Sequence, residues 1–238
     1  MGKTWHIYRN SLRVILLSGV LSFMLLLSGC GQTEESSRTD SSDANPSEKA
    51  ETVENGSSGE EEDYTLETKV MDVINDPVFG DYGRLIFPVD RTIDEDLELQ
   101  DVGEILTWYN NVNPDRTVEI ANYLKDQVES GEEIFYDIYT DEEKAEDPDK
   151  ENTGLFFFRG EPGAKTAVIN AGGGFVYVAA MHDSFPHAME LSQKGYNAFA
   201  LIYRPGADTA CEDLARAIAF LHENADELQI DMTDYSLW

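Results

Sequence analysis

The clearest periodic signal on this chain follows Thr209. Ala210, Leu214, Ala217, Ile218, Leu221 and Leu228 recur at helical spacing on one stripe, and Thr209-x-x-Glu212 ahead of them predicts a capping box. A second helix is predicted from Asn113 as cap and Pro114 at the first position. Val118, Ala121, Leu124 and Val128 share one face, and Gly131 ends it. A third spans roughly Pro186 to Lys194 and stops at Gly195. Between the helices the period changes to two. Glu133–Tyr139 alternates and is rich in β-formers, and Gly154–Phe158 predicts a second strand, the pair forming an antiparallel hairpin around the charged 141–152 loop. Ala167–Ile169, Asn197–Tyr203 and Tyr235–Trp238 predict three more strands.

Upstream the pattern is weaker. Residues 64–90 are irregular, broken by Asn75-Asp-Pro77, Gly80 and Gly83, and Leu97, Val102, Ile105, Leu106 and Tyr109 fall near helical spacing. Two strands followed by strand–helix repeats with apolar strands predict an α/β fold. The sheet should be doubly wound, mostly parallel and covered on both faces, with an N-terminal helical extension over 64–130 and the sheet domain over 131–238.

The first 63 residues read differently. Lys3, Arg9 and Arg13 precede an apolar stretch, Val14–Leu27, too short to span roughly 30 Å of hydrocarbon. Leu27-Ser-Gly-Cys30 closes it and resembles the lipobox of bacterial lipoproteins. This predicts a signal peptide over 1–29 and a diacylated Cys30, giving an extracytoplasmic protein anchored to the membrane. Cys211 is the one other cysteine, so no disulfide framework is expected. Residues 31–63 carry eleven acidic residues against Arg38 and Lys49 and almost nothing apolar, the composition of a disordered tether. The formal charge of −30 argues against nucleic acid and against an electrostatically bound membrane face.

The candidate chemistry lies at Ala171-Gly-Gly-Gly-Phe175, directly after a buried strand. Consecutive glycines let a backbone approach a ligand with its N–H groups open. A dinucleotide fingerprint fails because Gly172 and Gly174 are followed by Tyr177, and no Gly-Lys-Ser/Thr is present for a P-loop. An oxyanion hole, an anion nest and a tight structural turn stay open. His182 and His187 are five apart without an H-E-x-x-H pattern, so neither a metal nor a cofactor is expected. Asp213 and Arg216 are spaced to pair on the helix, with little energetic consequence if exposed; Cys211 reads as a packing residue; and Trp108 and Tyr109 read as core in preference to the lining of a pocket as part of a cap.

Five segments together resemble one family. They are Asn152–Gly160, Asn170–Phe175, Lys194-Gly-Tyr-Asn-Ala-Phe199, Tyr203-Arg204 and Asp234–Trp238. They look like the esterase/lipase-like α/β-hydrolase lipoproteins of bacteria, relatives of acetyl-xylan and feruloyl esterases, over roughly residues 130–238. The resemblance implies that Gly173 and Gly174 are backbone donors of an oxyanion hole, with Ala171 where many relatives carry histidine. It also implies that Gly-x-Ser-x-Gly follows the fifth strand, so the Ser-Asp-His triad is expected beyond Trp238. The chain then reads as a truncated form, inactive alone, of a serine hydrolase acting on small-molecule or glycan esters. A non-catalytic surface binding lipoprotein and an exported peptidase of the same fold are the other readings.

Overall fold

In the computed structural model, which describes residues 63–109 and 112–238, the predicted strands assemble into one sheet. The signal peptide 1–29, Cys30 and all of the tether except Asp63 lie outside the described residues. The strands are β1 (Phe135–Tyr136), β2 (Gly154–Phe158), β3 (Lys165–Asn170), β4 (Asn197–Ile202) and β5 (Asp231–Leu237), in the order β1-β2-β4-β3-β5. β2 runs antiparallel to β1 and β4, while β3 runs parallel to β4 and β5. Four strands therefore point one way, and β2 alone opposes them.

Three consecutive phenylalanines show how the sheet is covered. Side chains alternate across a strand, so Phe156 and Phe158 face one side and Phe157 the other. On the first side Phe185, from α4 (Ser184–Gln193), meets both Phe156 and Phe158, with centroids 4.9 and 5.4 Å away. Tyr123, from α2 (Pro114–Glu129), stacks on Phe158 at 5.6 Å. On the other side Phe157 stacks on Phe199 at 4.1 Å, and Tyr136 bridges Phe157 to Phe220 of α5 (Ala207–Glu223). Both faces carry helices, which is why every residue of β2 and β4 is buried. The fold is α/β, doubly wound and mostly parallel, as the periodicity predicts.

The N-terminal extension belongs to the same compact unit as the sheet. It contains α1 (Val70–Ile74) and 3-10 helices at Pro77–Leu85 and Leu99–Glu104, the second standing where helical spacing had predicted a longer element. Asn113 caps α2 as expected, its Oδ1 accepting from Asp115 N at 3.0 Å and Arg116 N at 3.4 Å. Val89 N donates to Val178 O at 3.3 Å, tying the extension to the segment after the glycines.

Three expectations are corrected. The 133–139 strand shrinks to two residues because its end turns away beneath α5, where Ile138 O accepts from Arg216 Nε at 2.7 Å and Tyr139 OH donates to Asp213 at 2.8 Å. The capping box at Thr209 does not form. Gly206 is the N-cap of α5, and the Thr209 hydroxyl donates back to Pro205 O at 2.7 Å. Leu228 lies in a separate short helix, α6 (Ala225–Leu228). The loop between β1 and β2, meanwhile, holds α3 (Asp141–Glu146) and a 3-10 turn at Pro148–Asn152.

Candidate functional site

The glycine loop leaves the carboxyl end of β3, the end at which doubly wound sheets bind ligands. Five contacts fix its path. Gly172 N donates to Asp183 Oδ2 at 2.6 Å, and Gly172 O accepts from Ala179 N at 3.1 Å. Val176 N donates to Gly173 O at 3.1 Å, Tyr203 OH to Ala171 O at 2.7 Å and Gly206 N to Phe175 O at 2.8 Å. Asp183 and Tyr203 thus hold the loop backbone on either side of Ala171.

Glycine is required at 173 for two reasons. Its φ is +152°, and a Cβ there would lie 1.8 Å from Tyr177 O. At 174 the reason is conformational alone: φ is +60°, with no atom within 4 Å of a Cβ. Among the described residues the N–H groups of Gly173 and Gly174 have no acceptor. Both residues line a pocket of about 360 Å³ with Tyr203, Ala210, Cys211 and Leu214. Cys211 is exposed on this pocket, not packed in the core. The carboxyl end of β5 lies alongside, since Trp238 O accepts from both Asn170 N and Asn170 Nδ2 at 3.0 Å.

The surroundings are aromatic. Tyr109 OH stands 2.7 Å from where a Gly172 Cβ would be, so it belongs to the site and not to the core alone. Burial, and then the Asp183 carboxylate, push its hydroxyl up to about 12. It therefore stays protonated near neutral pH and can donate. Trp108 is also displaced from its expected place. It is 53% exposed, and its indole N–H donates to Tyr177 OH at 2.6 Å.

The histidines do not reach the pocket wall. His182 Nε2 donates to Val102 O at 3.1 Å, its Nδ1 is buried without a partner, and burial holds its pKa below the usual imidazole value. The His187 ring lies on the exposed face of α4, with Nδ1 2.8 Å from Asp183 O. Among the described residues no group of His, Cys, Asp and Glu is placed to hold a metal ion.

Sequence reasoning missed one buried cluster. Asp213 does not pair with Arg216; it is fully buried and takes Arg204, while Arg216 turns to Ile138 O and Glu223. The available signal was its spacing, three after Ala210 and four before Ala217, which puts a carboxylate on the apolar stripe itself. A larger cleft of about 800 Å³ lies between Tyr82, Arg84, Phe135, Asp137 and Lys144. It shares no residue with the glycine loop, and the free backbone donors mark the smaller pocket as the candidate site.

No protein-family model matches the sequence, and no curated protein does. Solved structures do. An alpha/beta hydrolase enzyme from a Medee basin deep-sea metagenome library is 23% identical over 36% of this chain and 40% of its own, with a TM-score of 0.33. The acetyl ester-xyloside bifunctional hydrolase from Caldicellulosiruptor lactoaceticus is 21% identical over 43% of this chain and 40% of its own, at 0.39. Esterase B from Lactobacillus rhamnosis is 18% identical over 44% of this chain and 33% of its own, at 0.36. The chain spans 40% or less of the length of these proteins. The overlap is partial, and the fold assignment rests on the strand order and directions.

Proposed function

We propose that the chain carries the oxyanion-binding part of a surface-anchored serine hydrolase of the α/β-hydrolase fold, acting on carboxylic esters with acylated carbohydrate among the candidate substrates. The observation that supports this reading is the pair of unengaged backbone donors at Gly173 and Gly174, held open on a pocket at the carboxyl end of β3. When a serine hydroxyl attacks an ester carbonyl, the base takes the hydroxyl proton and the carbonyl oxygen becomes an oxyanion. Fixed N–H donors aimed at that oxygen stabilise the developing charge, and each is typically worth on the order of 10²–10³ in turnover. Collapse of the intermediate expels the alcohol, which receives the proton from the base, and water then frees the acyl group by the same steps in reverse order.

None of the described serine or histidine side chains takes the nucleophile or base role in this reading. Ser184 is buried, Ser236 accepts from Trp238 Nε1 at 2.9 Å, and His182 is engaged with Val102. The reading takes serine, acid and histidine from sequence that follows β5, whose carboxyl end abuts Asn170. Anchoring is part of the same proposal. Cys30 carries the acyl chains, and residues 31–63 hold the catalytic unit away from an anionic bilayer by charge repulsion.

The test uses the full-length protein with a fluorophosphonate probe and 4-nitrophenyl acetate. Labelling of one serine together with ester hydrolysis is expected. A folded protein that neither labels nor hydrolyses would overturn the hydrolase reading and leave a binding lipoprotein whose loop amides hold an anion. Cys30→Ala should leave the detergent phase on partitioning; equal partitioning of mutant and wild type would remove the anchor.

A further inference from the structure

Arg91 is a cation that the loop and its braces do not use. Its guanidinium carbon lies 5.1 Å from the Trp108 ring centroid and 4.5 Å from that of Tyr177. Among the described residues its N–H groups make no hydrogen bond and no ion pair. That is unexpected in a chain with 47 acidic residues against 17 lysines and arginines, and with Asp90 and Asp94 close by in sequence. The platform beneath it is fixed from two sides. Trp108 Nε1 donates to Tyr177 OH at 2.6 Å, and Val89 N donates to Val178 O at 3.3 Å. Tyr177 Cδ2 lies 3.2 Å from the Cβ position of Gly173, so a single ring separates the guanidinium from the glycine loop. Phe175, 49% exposed, supplies apolar surface at the pocket on the loop's other side.

A guanidinium held over aromatic faces by cation–π attraction keeps its in-plane N–H donors open. Those donors match a carboxylate in a two-point arrangement. We infer that Arg91 is a specificity-determining residue that selects esters bearing a carboxylate on the part of the substrate lying past Tyr177. This rests on the hydrolase reading above and names its substrate class. The formal charge of −30 repels anions at a distance, so recognition must come from this local contact, and one substitution should abolish it.

The experiment compares mono-4-nitrophenyl glutarate with 4-nitrophenyl butyrate in the full-length protein, with glutarate binding measured by calorimetry alongside. Arg91→Leu should lower the charged-to-neutral ratio of kcat/KM roughly tenfold or more. Arg91→Lys, which keeps the charge and loses the fork, should fall between. Glutarate should bind wild type and not Arg91→Leu. Ratios unchanged by both substitutions, or glutarate affinity that is absent or unaltered, would overturn the role of Arg91. Arg91-dependent glutarate binding in a protein that cleaves neither ester would support the anion contact and overturn the hydrolase reading alone.

Discussion

Asp213 illustrates what a single carboxylate does when it sits on an apolar stripe. It accepts from Arg204 N at 2.7 Å, from Arg204 Nη2 at 2.8 Å and from Tyr139 OH at 2.8 Å. Arg204 spends its other donors on Asp147 at 2.7 Å and Glu212 at 3.1 Å, so one buried cation joins the turn after α3, the end of β4 and the first turns of α5. The bond from Asp213 is the main reason the Arg204 guanidinium holds its proton more tightly than usual, whereas burial is the main reason the Tyr139 hydroxyl does. Asp213→Ala removes the fully buried partner of a cation that is only 5% exposed and leaves it the half-exposed Asp147 and Glu212, so the loss should lie at the lower end of the about 3–5 kcal/mol that breaking a buried pair costs. Urea denaturation should show a loss of that order, and a loss below about 1 kcal/mol would mean the cluster is solvated. The glycines give a second contrast. Gly174→Ala places a side chain in open space at a left-handed φ and should cost about 1–2 kcal/mol. Gly173→Ala drives a Cβ into Tyr177 O, so the loop itself must move and the loss should be clearly larger. Equal losses in the two variants would show that the close approach at 173 is relieved without cost.

At the scale of elements, what could be read in advance is what depends on a residue's own neighbours in the chain. The apolar runs of β2 and β4, the stripe of α5 and the Asn-Pro start of α2 are all local patterns, and each appears where the periodicity puts it. Asn113 therefore carries a direct test. Asn113→Ala frees two helix amides and should cost about 1 kcal/mol in urea denaturation, while Asn113→Asp, which keeps the acceptor, should cost much less. Identical losses would remove the capping role. What misled is what depends on partners far along the chain. The pattern Thr-x-x-Glu opens two predicted or observed helices, and at Thr140 and Glu143 it forms the reciprocal box at the start of α3. At Thr209 the carboxylate three residues on is drawn to Arg204 and the hydroxyl to Pro205 O, so the same letters give no box. β1 stops early for a similar reason, its end being claimed by Arg216 and Asp213. The candidate site divides the same way. The glycine run announces itself, but its surroundings arrive from a distance: Trp108 meets Tyr177 across 69 residues of sequence, and Arg91 joins both.

For the whole molecule, that long-range assembly makes stability respond to pH through a histidine. His182 joins the segment after the glycine loop to Val102 in the extension, 80 residues away, and its ring packs edge-on against Tyr109. Burial, only partly offset by the bond to Val102 O, lowers its pKa from the model-peptide value of 6.5. The sign follows from linkage. As pH falls through about 6.5 the unfolded chain takes up the proton first, so the unfolded state gains relative to the folded one until the folded group also titrates. The contribution is complete above that value and is lost below it. The buried Nδ1 gives the reason, because a proton placed there would find no acceptor among the described residues. Comparison with His182→Gln at fixed ionic strength isolates this from the titration of the 47 carboxylates, which both proteins share. Wild type should lose stability relative to the variant as pH is lowered from 7.5 to 5.5, read from urea midpoints at each pH. Parallel curves would mean that His182 titrates alike in the folded and unfolded states, and that the contact between the loop segment and the extension is open to water.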